Sequence, residues 1–342
     1  MRQSALELKF LIGMIVLTMI ISGCGGQSEM PVGQPETGSP NTATPSPLPT
    51  KGPTATHTLS PPPTPSSTPT DAPMPTPSTP PTSSPAPVPP TDTPTLPTDI
   101  PPTATSVVRV GQHPYSSEVQ VVDTNHNTQT VKVEYLLYLP DTYGKDPQQK
   151  WPLILFLHGS GEQGKDLELL RLCEFPKLLD QQTDFPFIVV SPLLPLEANR
   201  WWSDRIDALT VLLDQIQAAY AVDATRTYVT GLSAGGFGTW EFALRYPKRF
   251  AAIVPIAGGY RYGSDLLPEN ICDLKDVSVW AFHGAQDNIV LPSQTEIMVD
   301  TLQACGGEVR FTLYSEANHE DSWRLAYADP ELYEWLLEQS LQ

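Results

Sequence analysis

From residue 107 onward, short apolar runs alternate with amphipathic stretches. "SEVQVVD" and "TVKVEYLLYLP" have the composition of strands. "WPLILFLHGSG", "FPFIVVSP", "TYVTG", "FAAIVPIAGG", "VSVWAFHG" and "EVRFTLYSEANH" are brief apolar runs that end in Gly, Pro or polar residues, the pattern of strands buried on both faces. Residues 207–220, 234–246 and 293–304 read as helices between them. Strands alternating with helices predict an α/β domain over residues 107–342. Its sheet should be mostly parallel, covered by helices on both faces, with chemistry gathered at the carboxyl ends of the strands.

The pattern before residue 107 is different. Arg2 and Lys9 bracket a polar start, and "FLIGMIVLTMII" follows, an apolar run suited to an export signal and short for a membrane-spanning helix. It ends in Ile21-Ser22-Gly23-Cys24, which matches the bacterial lipobox, where small residues precede a cysteine that becomes the lipidated N-terminus. The expectation is a signal peptide over residues 1–23 with lipidation at Cys24. Residues 24–106 are dominated by Pro, Thr and Ser, with little apolar surface to offset the entropy of ordering them. They read as a disordered linker, extended by its prolines. An export signal, an anchor and a spacer together predict an exported lipoprotein held at the cell surface or in the periplasm.

Charge and cysteines narrow the classes. The net charge of −18 falls mostly after residue 107, with no basic cluster, which argues against nucleic acid and anionic headgroups as partners. The lipid would then be the only membrane attachment. If Cys24 is lipidated, Cys173, Cys272 and Cys305 remain; Cys272 with Cys305 is the pair to test, because they flank the same strand and loop. No CxxC, HxH or HExxH spacing occurs, so neither a metal nor another cofactor is expected.

One serine stands out. In "VTGLSAGGFGTW", Ser233 lies between a β-branched run and a helical stretch, flanked by Gly231 and Gly235. So tight a strand-to-helix turn strains the backbone and projects the hydroxyl from the top of a sheet. The Gly-x-Ser-x-Gly pattern alone is weak, since a turn needs glycine too. Its partners appear in the required order, an acid and then a histidine: Asp287 in "AFHGAQDNIV" and His319 in "YSEANHEDSW". A serine needs a base to take its proton, and the base needs a carboxylate to fix its tautomer and steady its charge. Among the other histidines, His57 falls in the linker, His113 and His126 precede the parallel strands, and His158 and His283 each precede a glycine in structural corners. The glycine-bearing loop "LHGSGEQG" should complete an oxyanion hole from the backbone N–H groups of Ser160, or its neighbour Gly159, and Ala234. Trp201, Trp202, Trp240 and Trp323 are candidates to line an acyl or sugar site, with Trp202 and Trp323 the ones singled out for substrate binding.

"YLLYLPDTYGKDPQQKWPLILFLHGSGEQG", "FPFIVVSP", "RTYVTGLSAGGFGTWEFALRYPKRFAAIVPIAGG", "VWAFHGAQDNIV" and "RFTLYSEANHEDSW" together resemble the α/β-hydrolase superfamily. More narrowly, they resemble secreted bacterial esterases of the phospholipase/carboxylesterase and feruloyl-esterase-like group, often labelled predicted peptidases. The resemblance implies a cofactor-free serine hydrolase with Ser233, Asp287 and His319 as triad, acting on a small-molecule or polysaccharide ester. Two departures stand out. Three residues lie between His319 and Trp323, one more than in that group, and Leu193-Leu194 stand where it often has a polar residue. A prolyl-oligopeptidase-like peptidase and an inactive binding protein on the same fold remain as alternatives; the complete Ser, Asp and His order disfavours the second.

Overall fold

The computed structural model describes residues 109–341 apart from 123, 124, 165, 183, 197, 199, 200 and 265. The expected export signal, the lipobox at Cys24 and the Pro/Thr/Ser linker lie outside the described residues. Among the described residues, no helix is long and apolar enough to cross a membrane.

Eight strands form one sheet: β1 (Gly111–Val122), β2 (Thr128–Leu139), β3 (Trp151–Leu157), β4 (Ile188–Pro192), β5 (Val222–Leu232), β6 (Ala252–Ile256), β7 (Ser278–Gly284) and β8 (Val309–Tyr314). Their spatial order is β1-β2-β4-β3-β5-β6-β7-β8. β1 pairs with β2, and β2 with β4, in antiparallel fashion. All later pairings are parallel. The central strands β3, β4 and β6 are buried at every position, which is why they read as unbroken apolar runs. β1 starts at Gly111, earlier than its alternating "SEVQVVD" segment predicts. Its first half carries Pro114, which lacks an N–H and is tolerated there because β1 is an edge strand.

Among the described residues the helices are α1 (Leu167–Arg171), α2 (Glu174–Asp180), α3 (Ile206–Ala219), α4 (Ala234–Arg245), α5 (Ser293–Ala304), α6 (His319–Ala328) and α7 (Pro330–Glu338). Strand alternation sends consecutive side chains to opposite faces, and each face has its own core. Leu153, Leu155 and Leu157 of β3 pack with Leu209 and Leu212 of α3, Trp240 and Phe242 of α4, and Met298 and Leu302 of α5. Ile154 and Phe156 point the other way, toward Phe175 of α2, Trp323 and Tyr327 of α6, and Tyr333 of α7. Each such side chain taken wholly out of water contributes on the order of 1.5–3 kcal/mol. Helices therefore cover both faces, and the carboxyl ends of β3, β5, β6, β7 and β8 share one edge. Cys272 and Cys305 are joined by a disulfide that ties a short turn before β7 to the end of α5.

Candidate active site

Ser233 follows the last residue of β5 and precedes the first of α4. Its φ of 51° and ψ of −117° lie where a side chain is strained. The turn is over-determined by its surroundings. The Ser233 N–H donates to Ile256 O of β6 at 3.0 Å, and the Phe237 N–H donates back to Ser233 O at 3.1 Å. A Cβ on Gly235 would lie 1.9 Å from Leu157 O and 2.8 Å from His158 O, so only glycine lets α4 begin this close to the end of β3.

His319 is the first residue of α6, and the Asn318 side chain caps that helix by accepting the Asp321 N–H. Its Nε2 is 3.0 Å from Ser233 Oγ, and its Nδ1 is 2.6 Å from Asp287 Oδ2. The longer spacing between His319 and Trp323 is absorbed by helix: Trp323, one turn further along α6, meets the His319 ring edge-on with centroids 4.9 Å apart. Asp287 is buried just past the end of β7. Burial by itself would raise its pKa. Hydrogen bonds from His283 and His319, the His319 charge and the Ile289 N–H overcome that and hold the carboxyl well below the usual carboxylate range. Its Oδ1 also accepts the N–H of Ile289 and of Val290, at 2.9 and 3.0 Å. The sequence-predicted Ser233, Asp287 and His319 are thus brought together, with Asp287 ionised. His283 is an addition: its Nε2 lies 3.1 Å from Asp287 Oδ2, the oxygen His319 uses. The signal for it was the four-residue offset from Asp287 across a tight turn, but "HG" reads equally well as a corner.

Ser160, itself exposed, opens a 3₁₀ turn just after β3. Gly159 presses this loop on the serine turn, since a Cβ there would come within 2.8 Å of Leu232 Cδ1. Ala234 starts α4, where a helix's first N–H groups have no carbonyl within the helix to bond. Both predicted oxyanion donors therefore belong to two loops in backbone contact. His158 buttresses the arrangement. Its Nε2 accepts the Leu194 N–H at 3.0 Å, tying the loop to the apolar "SPLLP" segment, and its Nδ1 is 2.6 Å from Gly159 O.

The four tryptophans occupy different surroundings. Trp202 is 1 % exposed, donates its indole N–H to His158 O at 3.1 Å, and fills the space over Gly238. It is a strut between the loop after β3 and α4. Trp323 is buried as well and supports the His319 ring rather than forming an open wall. Trp240 lies wholly in the core. Trp201 faces a groove of about 400 Å³ shared with Phe237, Glu241, Tyr260, Arg261 and Tyr262. The Trp201, Phe237 and Tyr262 rings contact one another with centroids 5.5–6.1 Å apart. Phe237 and Glu241, four residues apart, place this groove along one face of α4. Burial raises the Glu241 pKa. Among the described residues, no cluster of three or more His, Cys, Asp or Glu is placed to hold a metal ion.

Residues 195–326 match the phospholipase/carboxylesterase family model. The chain is 28% identical over 137 residues to a poly(3-hydroxyoctanoate) depolymerase of Pseudomonas fluorescens, covering 34% of this chain and 49% of that one. It is 28% identical over 146 residues to feruloyl esterase B of Neurospora crassa, covering 40% and 47%. Among solved structures it is similar to a thermostable esterase, with a TM-score of 0.52, 28% identity, and coverage of 66% of this chain and 63% of that one. The chain thus spans no more than about half the length of these two curated relatives, and less than two thirds of the solved esterase.

Proposed function

We propose that this chain, an α/β-hydrolase by fold and a relative of the esterase group within it, is a serine ester hydrolase. The carrying observation is the run of contacts from Ser233 Oγ to His319 Nε2, 3.0 Å, and from His319 Nδ1 to Asp287 Oδ2, 2.6 Å. Ser233 Oγ attacks the ester carbonyl while His319 Nε2 takes its proton, and Asp287 holds the ring by its Nδ1–H and stabilises the imidazolium. The N–H groups of Ala234 and Ser160 receive the developing oxyanion. His319 returns the proton to the departing alkoxide, leaving an acyl-enzyme on Ser233. Water, deprotonated by the same imidazole, then releases the acid.

For substrate, the reading is a short acyl or aromatic ester, free or carried on a polysaccharide. A ring-lined groove whose Phe237 lies four residues after Ser233 supports it, because aromatic faces receive planar or ring-shaped groups. Ser233→Ala should abolish turnover and labelling by a fluorophosphonate, and Asp287→Asn should lower kcat by roughly 10⁴-fold. In a panel of p-nitrophenyl acetate, p-nitrophenyl butyrate, methyl ferulate, long-chain lipid esters and Pro-containing peptides, kcat/KM should be highest for the first three. Preferred cleavage of a peptide would replace the esterase reading with a peptidase. Full turnover by Asp287→Asn would remove Asp287 from the triad.

The whole-chain reading adds an export signal over residues 1–23, a lipid at Cys24 and a tether to residue 106, which hold a catalytic domain over 107–342 away from a membrane. Cys24→Ser should move the protein from the membrane to the soluble exported fraction, with hydrolysis of p-nitrophenyl acetate unchanged. Retention on the membrane would overturn the anchor.

A further inference from the structure

We propose that the groove beside α4 is a binding site for a sugar ring, with Glu241 and Arg261 reading its hydroxyl groups and Trp201 and Tyr262 receiving its apolar face. Trp201 and Ser203 come from the segment before α3, Phe237 and Glu241 from α4, and Arg261 and Tyr262 from the loop after β6, so three separate parts of the chain enclose it. Its volume of about 400 Å³ falls within the range of small-molecule sites, about 300–1,000 Å³. The aromatic wall is open to a ligand. Tyr262 is 53 % exposed, and its hydroxyl is spent on Ile289 O at 3.1 Å, which leaves the ring to offer its face.

The polar lining narrows the ligand from any ring to one bearing several hydroxyls. Among the described residues, the Glu241 carboxyl, the Arg261 guanidinium and the Ser203 hydroxyl are held by no hydrogen bond or ion pair. Arg245, one turn beyond Glu241, is engaged by Asp207 at 2.9 Å, and the Arg261 guanidinium stands 5.4 Å from the centre of the Tyr260 ring. Opposite charges thus line one groove without closing on each other. Burial raises the Glu241 pKa and the charges of Arg245 and Arg261 act against it, so Arg261 is felt by the carboxyl although it is not bonded to it. A hydroxyl both donates and accepts, and one placed between a carboxylate and a guanidinium satisfies each. Adjacent hydroxyls on a sugar ring extend this to Ser203, while the C–H face of the same ring lies on the electron-rich face of an aromatic side chain. A phenolic ring with its hydroxyl on one edge leaves part of this lining unmatched, and an ammonium ligand would meet the charge of Arg261.

Phe237 and Glu241 lie one and two turns along α4 from Ser233, about 6 and 12 Å of rise. The groove therefore holds a part of the substrate remote from the ester bond, and binding energy gathered there raises kcat/KM for esters carried on saccharide. This consequence rests on the esterase reading, whereas the sugar site does not. The test has two arms. Saturation-transfer NMR on the whole protein measures binding of xylotriose, cellotriose, mannotriose and 4-hydroxycinnamate. At least one trisaccharide should bind more tightly than 4-hydroxycinnamate, and its Kd should rise about tenfold in Glu241→Ala and in Arg261→Ala. Should Glu241→Ala fail to fold, Arg261→Ala, a change at an exposed side chain, carries the same reading. Absence of trisaccharide binding, tighter binding of 4-hydroxycinnamate, or a Kd that Arg261→Ala leaves unchanged would overturn the sugar site. In hydrolysis, kcat/KM for the acetate ester of the bound trisaccharide, taken relative to p-nitrophenyl acetate, should fall about tenfold in Arg261→Ala, through KM more than kcat. An unchanged ratio would remove the groove from substrate selection. If the wild-type protein cleaves neither ester, the esterase reading fails and trisaccharide binding alone decides the groove.

Discussion

Glu174 opens α2 with a φ of 47°, a second strained residue near the edge that holds the site. Burial, and then the charge of Glu162, raise its pKa to about 7. A carboxyl whose proton is held more tightly in the folded state costs little at pH 4, where the folded state is protonated and the unfolded one mostly so. It destabilises increasingly as the pH rises toward and past 7, where the unfolded chain has already released its proton. Glu174→Gln should therefore leave the melting temperature at pH 4 nearly unchanged and raise it at pH 8, by roughly 1–2 kcal/mol of stability or a few degrees. Thermal melts at the two pH values check the sign. At this scale the sequence was legible where chemistry and backbone demand coincide. Ser233 needed its glycines, and Asp287 and His319 needed their order along the chain. It was opaque at Trp201 and Trp202, where adjacent residues of one type face a groove and the core respectively. That choice is made by the space over Gly238 and by the His158 carbonyl, neither of which is local.

Among the elements, α3, α4 and α5 were readable because their apolar periodicity is strong, and their ends fall within a residue of expectation. α6 and α7 were not, because α6 begins with a run of polar residues and gains its start from the Asn318 side chain. α7 begins with Asp329 as cap and Pro330 at its first turn, a start signal that the apolar runs before it masked. The disulfide closes a loop between residues 33 apart, at the end of α5 remote from Thr295. In the chain-entropy account such a loop stabilises by roughly 3–4 kcal/mol. Replacing both Cys272 and Cys305 by Ala should lower the urea midpoint by that free energy, while p-nitrophenyl acetate turnover at 25 °C stays near the wild-type value. A fall in turnover without a fall in midpoint would show the bond acting on the site rather than on the unfolded chain.

For the whole molecule, alternation of apolar runs with helices was enough to expect a largely parallel sheet between two helical layers. It was not enough to order the strands, because β3 lies between β4 and β5 only by virtue of a crossover that periodicity does not record. The same topology has a consequence for how the site comes into being. Ser233 and His319 are 86 residues apart, Asp287 and His319 32 apart, and the loop that faces the serine turn follows β3, near the start of the parallel set. No single supersecondary unit contains the constellation, and a chain that has formed β5 and α4 holds its serine on the strained turn with no base beside it. On the proposed esterase reading, a fluorophosphonate that reacts only with an activated serine is then a clock for folding. It marks the moment when β7, β8 and α6 have docked, and it stays silent toward every partly folded form that precedes them.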